Sequence, residues 1–275
     1  KVPAYLDDTP MTRQQYADYL AEITYMDSQV GELLALLKET KNSDNTLVLF
    51  TSEQGAQFPG CKWTNWDNGL HTSLVARWPK KIATGRTNAI VQYADILPTI
   101  LDLAGTKPNP KTFDGRSFAG VLLGKKSNHR EHAFGMHNNY PEGPTYPIRS
   151  ITNGKWRYIR NLSHASLYIE NHLMGKHEHN PYWSSWVFSS FSNPKHEMLV
   201  NRFMKRPAEE LYHTNEDPYE LTNLASNPAH ARIKETLATV LAQHLKDQGD
   251  PGLSLDTQKA HKAAANLTPS FQSKP

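Results

Sequence analysis

Along the first forty residues the apolar positions recur at helical spacing. Tyr16, Leu20, Ile23, Val30, Leu34 and Leu37 share one face of a helix predicted over about Thr12 to Thr40, and Asp27 sits on that face as an expected buried structural acid. KNSDN then supplies turn formers that break the helix. TLVLFTS (46–52) is a continuous apolar, β-branched and aromatic run, the pattern of a buried strand. A helix that feeds a buried strand through a short turn is an α/β unit. A polar loop rich in Gly, Asn and Trp follows over 53–72, and SLVARWP (73–79) predicts a second strand closed by Pro79. ADILPTILDLAG (94–105) predicts a second helix, with Asp95 as N-cap, Pro98 in the first turn and Gly105 at its end.

The pattern changes beyond about residue 125. YPIRSITNG and KWRYIRN (146–161) read as two strands joined around Asn153-Gly154, a strong hairpin signal. Residues 162–205 are aromatic and His-rich with little periodicity, so loop with short helices is expected there. EELYHTNEDPYELTNLASNP (209–228) reads as turn-rich. HARIKETLATVLAQHLKDQG (230–249) is an amphipathic helix through Ile233, Leu237, Val240, Leu241 and Leu245. From Asp250 onward the chain is polar and small, the composition of a loosely held tail. The expected organisation is an α/β part over 1–125, an α+β part over 126–250 and a tail over 251–275.

Composition narrows the classes. With 38% apolar residues in 275 the chain can build a real core, and no run approaches membrane-span length. A net charge of +3 from 30 basic and 27 acidic residues is too balanced for a dedicated nucleic-acid binder, yet leaves room for a local anion site. A single cysteine excludes an internal disulfide framework. The opening KVPAYLDDTP has neither an initiator Met nor a leader pattern, which fits a mature or cleaved product, or a fragment.

The candidate chemistry lies in VLFTSEQGAQFPGCKW. Open α/β sheets place ligands beyond the carboxyl ends of their strands, where Glu53 and Gln54 fall. A carboxylate and an amide carbonyl are hard oxygen donors, suited to calcium or magnesium rather than zinc. Two such ligands do not complete a site, and an acid–amide pair at a strand end is also ordinary turn chemistry. Lys62 can neutralise a bound anion, and His71 follows nine residues later. Cys61 has no Cys-x-x-Cys partner and reads as an inert small hydrophobe. His172, His177 and His179 lack the spacing and further ligands of a zinc site and read as loop.

TLVLFTSEQG, then Lys62, then NGLHTSLVARWP resembles the second signature region of the type I sulfatases. YLAEITYMDSQVGELLALLKE, YADILPTILDLAG, FDGRSF, GKWRYIRN and EELYHTNEDPYELTNLASNP resemble further blocks of the same family, over about residues 1–250. VPAYLDDTP and YPIRS are most similar to the N-sulfoglucosamine sulfohydrolase branch and its bacterial relatives. The resemblance implies the C-terminal part of an alkaline phosphatase-like α/β sandwich, plus a smaller α+β subdomain with an antiparallel sheet and a C-terminal helix. It implies hydrolysis of sulfate esters or sulfamates on a sulfated polysaccharide or glycosaminoglycan. The cofactor it implies is Ca2+, with Mg2+ the weaker choice, and the nucleophile is a formylglycine made within a Cys/Ser-x-Pro-x-Arg motif.

By position, Glu53 and Gln54 fall on the family's Asp-Asn or Asp-His metal pair, each one methylene longer, and Lys62 falls on the basic residue that contacts the sulfate. The Cys/Ser-x-Pro-x-Arg motif does not occur in this sequence, and Asp7-Asp8 reads as a loop before the first helix rather than as the family's upstream Asp-Asp pair. The expectation is therefore that the nucleophile lies on an N-terminal portion of the enzyme outside this chain. Substrate contacts are expected from Arg149, His137 and His71, whereas Asp95 and Asp114 are expected as caps and turn formers.

Two other readings remain open at this point: a catalytically degenerate, glycan-binding relative, and a phosphatase or phosphodiesterase of the same superfamily, whose two zinc ions would need His and Asp ligands that this loop lacks. By analogy the protein is exported, to a periplasm, the medium or a lysosome. A homo-oligomer fits the sequence equally well, and Asn161-Leu-Ser and Asn266-Leu-Thr are glycosylation triplets.

Overall fold

The computed structural model describes residues 1–175 and 180–267. In chain order the elements begin with α1 (Pro10–Glu39), β1 (Val48–Thr51), α2 (Asp67–Leu70), β2 (Leu74–Arg77), α3 (Ile96–Leu103), α4 (Ala119–Leu122) and β3 (Ala133–His137). They continue with β4 (Ile148–Thr152), β5 (Trp156–Asn161), α5 (Asn171–Met174), α6 (Pro181–Ser190), α7 (Pro194–Met204), β6 (Glu209–His213), α8 (Ala231–Asp247) and α9 (Gln258–Leu267). Two compact units divide the chain. One collects Lys1–Tyr16, Gln54–His71 and the residues from Phe134 onward, and the other collects Ala17–Glu53 and Thr72–Ala133. No helix among the described residues is long and apolar enough to cross a membrane.

In the unit built from Ala17–Glu53 and Thr72–Ala133, β1 and β2 pair antiparallel, with Val48 opposite Arg77 and Thr51 opposite Leu74. The run expected as a buried strand is only half-buried, and β2 alternates so that Val75 stays 59% exposed. The α1 helix forms where its spacing predicts, but Leu20 and Ile23 on its apolar face are exposed. Asp27 is exposed too, so it is not the buried acid expected. Helical spacing fixes which residues share a face; it does not fix what covers that face.

Asp95 corrects another expectation. Its side chain does not cap α3. It instead accepts from the backbone N–H of Gln92 (2.9 Å) and of Arg116 (2.9 Å) and from Arg130 Nε (2.7 Å), with His129 Nε2 3.2 Å away. Burial raises the Asp95 pKa, but Arg130 and the two backbone donors outweigh it and hold the carboxyl down to about 2.

The other unit is organised by a four-stranded sheet in the order β3-β4-β5-β6. The hairpin forms as the Asn153-Gly154 signal predicts, with Ile148 opposite Asn161 and Thr152 opposite Arg157, and Gly154 takes φ 83° in the turn. One face carries Ile151, Tyr158 and Leu211, packed with Leu237 and Leu241 of the amphipathic α8. On the opposite face Ile148, Ile159 and Tyr212 join a core with Trp66, Tyr168, Trp186 and Phe203.

Three segments are more ordered than their composition predicts. Residues 162–205 contain α6 and α7, ten and eleven residues long, and the Asn193-Pro194 start of α7 is a cap followed by Pro at the first turn. The stretch read as turn-rich opens with β6, which completes the sheet. The tail is tied down at Asp256, 1% exposed, whose carboxylate accepts the backbone N–H of Asn139 (3.0 Å), Tyr140 (2.6 Å) and Tyr146 (2.6 Å). One buried carboxylate that collects three backbone donors leaves no periodic trace in a sequence.

Candidate active site

The strand end that carries Glu53 is pinned within its own unit. Ser52 donates its backbone N–H to Ser73 O (3.1 Å), Ser73 N–H donates to Ser52 Oγ (2.8 Å), and the Tyr93 hydroxyl donates to Ser52 O. Glu53 follows this anchor with its side chain exposed. Gln54, half-buried, opens the segment that belongs to the other unit.

That segment, 54–71, closes on itself. Gly55 has φ 60°, and a Cβ there would lie 2.6 Å from Lys62 N and 2.8 Å from Asn68 O, so only glycine fits. Lys62 N–H donates to Ala56 O (3.1 Å), which brings the lysine back beside the start of the loop. At Gly69 a Cβ would lie 2.4 Å from Cys61 O, so α2 also presses on the loop. The sheet holds the far end: Asn65 Nδ2 donates to Ser150 Oγ (3.1 Å) and Trp66 Nε1 to Glu210 Oε2 (2.7 Å). Asp67 is fixed by its backbone N–H to Glu220 Oε2 (2.7 Å) and by an ion pair with Arg157, whose Nε also meets Glu220 Oε1 (2.7 Å). These contacts explain why Ser150, Arg157 and Glu210 are buried polar residues on one sheet face.

Lys62 is half-buried, with Nζ 5.7 Å from the Trp63 ring centroid. Trp63 holds φ 63°, a rare conformation for a bulky residue. Its ring stacks on His172 at 5.1 Å and 9°, and its carbonyl accepts the Tyr168 hydroxyl at 2.6 Å. The same hydroxyl oxygen lies 3.3 Å from His137 Nε2. The fold therefore links Lys62 and His137, far apart in sequence, through Trp63 and Tyr168. The His137 imidazole is held down to about 4 by burial, with Arg206 and Arg149 adding to the effect.

The other expected substrate contacts are placed differently. Arg149 is fully buried, its guanidinium paired with Asp250, so it braces the sheet and does not open onto solvent. His71 is exposed and its Nδ1 lies 3.0 Å from Asp67 Oδ2, a contact that raises its pKa. Cys61 is 2% exposed and burial pushes its thiol up to about 12, which agrees with its reading as an inert hydrophobe. Asp7 and Asp8 lie in a loop ahead of α1. His177, His179 and Thr268 lie outside the described residues.

Trp63 and Tyr168 were not among the residues singled out from the sequence, nor was Arg206, and His172 was weighed only as a zinc ligand and read as loop. Arg206 is 3% exposed, with its guanidinium 4.5 Å over Trp66 and 3.8 Å over Tyr168. A Lys-Trp dipeptide beside a proposed anion site is the one local cue; the positive φ and the long-range stacks are not readable from pattern.

A calcium ion fits the donor chemistry of Glu53 and Gln54, since both offer hard oxygens. No group of three or more His, Cys, Asp and Glu side chains that could hold a metal occurs among the described residues. These residues would therefore supply part of a coordination shell and leave the remainder to other donors.

Comparison with known proteins places this geometry in context. A family model described as Sulfatase matches residues 3–106, and one described as N-sulphoglucosamine sulphohydrolase, C-terminal, matches residues 61–175. An ulvan-active sulfatase of Formosa agariphila is 35% identical over 237 residues, covering 85% of this chain and 44% of that protein. The human N-sulphoglucosamine sulphohydrolase is 28% identical, covering 91% of this chain and 51% of that protein. Among solved structures, one in complex with its substrate D-glucosamine-2-N,6-O-disulfate aligns with a TM-score of 0.60 at 21% identity, covering 86% of this chain and 41% of that one. A phosphonate monoester hydrolase of Agrobacterium radiobacter aligns with a TM-score of 0.54 at 22% identity, covering 82% of this chain and 40% of that one.

The fold is thus that of the alkaline phosphatase-like sulfatases, with helices and antiparallel sheets in the α/β arrangement expected. The chain belongs to the sulfatase family and corresponds to its C-terminal half. It spans 44% of the length of that ulvan-active sulfatase and 51% of the human N-sulphoglucosamine sulphohydrolase.

Proposed function

We propose that this chain contributes part of the active site of a calcium-dependent hydrolase that removes sulfate, as an ester or a sulfamate, from a sulfated saccharide. The observation that carries the reading is the acid–amide pair after an anchored strand end, followed by a loop whose closure returns Lys62 to its own beginning. Membership of the sulfatase family supports it, as do relatives named for ulvan and for N-sulphoglucosamine.

In this reading Glu53 and Gln54 supply oxygen ligands to the metal, and a bound calcium ion supplies positive charge against the sulfuryl oxygens. Lys62 adds a second positive charge at the sulfate, where negative charge accumulates during S–O or S–N cleavage. His137 contacts the sugar, and His71 lies near the rim of the same loop. The nucleophile, a formylglycine in the family, comes from outside these 275 residues. Export to a periplasm, the medium or a lysosome belongs to the same proposal.

Sulfate release tests it. The protein produced together with a segment that carries the Cys/Ser-x-Pro-x-Arg motif is expected to liberate sulfate from members of a panel of sulfated glucosamines and uronic-acid disaccharides. Chelation is expected to abolish the release, and calcium to restore it. Turnover of phosphonate or phosphate monoesters in place of the sulfated sugars would favour the second reading, which the fold shared with a phosphonate monoester hydrolase keeps in view. Saccharide binding without turnover would favour the degenerate, glycan-binding reading.

A further inference from the structure

We infer that His137 reads a hydrogen-bond donor on the saccharide, a hydroxyl or an N–H, through an unprotonated Nδ1, and does not grip the sulfate as an imidazolium. This deepens the saccharide reading above and rests on it.

The tautomer follows from the partners of Nε2. Asn139 Nδ2 donates to Pro144 O (2.7 Å) and Ile169 O (2.8 Å), so the amide cannot be turned over and Oδ1 is an acceptor. That oxygen lies 3.4 Å from His137 Nε2. The Tyr168 hydroxyl spends its proton on Trp63 O (2.6 Å), so its oxygen presents a lone pair 3.3 Å from the same nitrogen. Burial raises the Tyr168 pKa, which keeps the phenol protonated and donating. Two acceptors facing Nε2 place the ring's proton there. Nδ1 then carries a lone pair and has no hydrogen-bond partner among the described residues.

A second proton on Nδ1 is opposed by burial and by the nearby cations, which together outweigh Asn139 and Asp256, the two groups that favour it. The ring is desolvated, and Arg206 and Arg149 are the nearby cations. Asp256 is the nearby anion, but its carboxylate is committed to three backbone N–H groups. Arg149 Nη1 also donates to His137 O (3.2 Å) and to Asn138 Oδ1 (3.0 Å), which fixes the backbone that aims the ring. A neutral acceptor in a half-buried position discriminates by hydrogen bonding: a sugar that lacks the matching donor leaves Nδ1 desolvated and unpaired.

Two measurements test this. In 15N-histidine spectra of the ligand-free protein, with the His137 signal assigned by its loss in His137→Gln, the Nε2–H tautomer is expected throughout pH 5.5 to 8. An imidazolium or an Nδ1–H tautomer in that range would overturn the inference. In titrations with a sulfated glucosamine and its single-deoxy analogues, wild-type affinity is expected to be flat over the same pH range. His137→Ala is expected to bind the parent about tenfold more weakly and to match wild type on one deoxy analogue. Equal binding by wild type and His137→Ala overturns the His137 assignment and leaves the saccharide reading standing. Wild-type protein that binds no sulfated sugar in the panel overturns both.

Discussion

Replacing Asp250 with alanine is expected to destabilise the protein by about 3–5 kcal/mol, the cost of leaving one member of a buried ion pair alone. Arg149 is fully buried and the Asp250 side chain is 3% exposed. Both carboxylate oxygens are engaged, one by Arg149 Nε and one by Nη2 at 3.2 Å. Arg149 Nη1 is served separately by His137 O, Asn138 Oδ1 and Ile148 O (2.9 Å), all neutral acceptors. Removing the carboxylate therefore strands a charge that water cannot reach, and neutral carbonyls do not replace it. Against a typical total of about 5–15 kcal/mol, the loss is about a fifth or more of the stability.

Urea unfolding at pH 7, read from midpoint and slope, measures it. Arg149 also holds the Asp250 pKa below the usual carboxylate range. A depressed carboxylate contributes stability above its unfolded pKa of about 3.9, and loses it as pH falls through the folded value. The difference between wild type and Asp250→Ala is therefore expected to shrink in acid. The pair Arg149→Met with Asp250→Leu is expected to recover most of the loss, since apolar replacement of a buried pair is often neutral. Wild-type stability in Asp250→Ala would refute the reasoning. So would an Arg149→Met protein of unchanged stability that has lost saccharide binding, because it would return Arg149 to the substrate.

Three further outcomes follow from the same geometry. Cys61, buried and pushed up to about 12, is expected to resist iodoacetamide at pH 8 in the folded protein and to react on unfolding, as peptide mass mapping would show. His137 falls from 6.5 to about 4 on folding, so the unfolded chain takes its proton first and stability drops as pH falls between those values. The contribution is about 3 kcal/mol, read as the difference between wild-type and His137→Ala pH–stability curves; parallel curves would contradict it. Asn161, 2% exposed, donates Nδ2 to Pro207 O (2.7 Å) and Glu210 Oε1 (2.6 Å), so protein from a eukaryotic secretory host is expected to carry no glycan there, and an occupied site in a folded product would contradict that packing.

Periodicity revealed what periodicity governs. The α1 and α8 helices and the β4–β5 hairpin follow from spacing and from Asn153-Gly154. The Lys62 loop stood out because its order of residues resembles a family. The remainder depends on long-range polar contacts. Arg149 reads in sequence as a substrate contact at a hairpin start, and only Asp250, about a hundred residues away, makes it a brace. Asp95 occupies a cap position, yet Arg130 and Arg116 claim its oxygens. Trp63 gives no sign of its positive φ, and its neighbours Tyr168 and His172 lie in a segment without periodicity. The exposed face of α1 shows the converse, a correct pattern whose cover a pattern cannot name.

The most direct test of the central claim is a calorimetric titration of the protein with a sulfated glucosamine and with its unsulfated parent, in calcium and after chelation. Binding is expected only with sulfate and calcium together, and about tenfold weaker in Lys62→Ala. Equal affinity for the sulfated and unsulfated sugars, or binding indifferent to both chelation and Lys62→Ala, would contradict the assignment of this loop to a sulfate site.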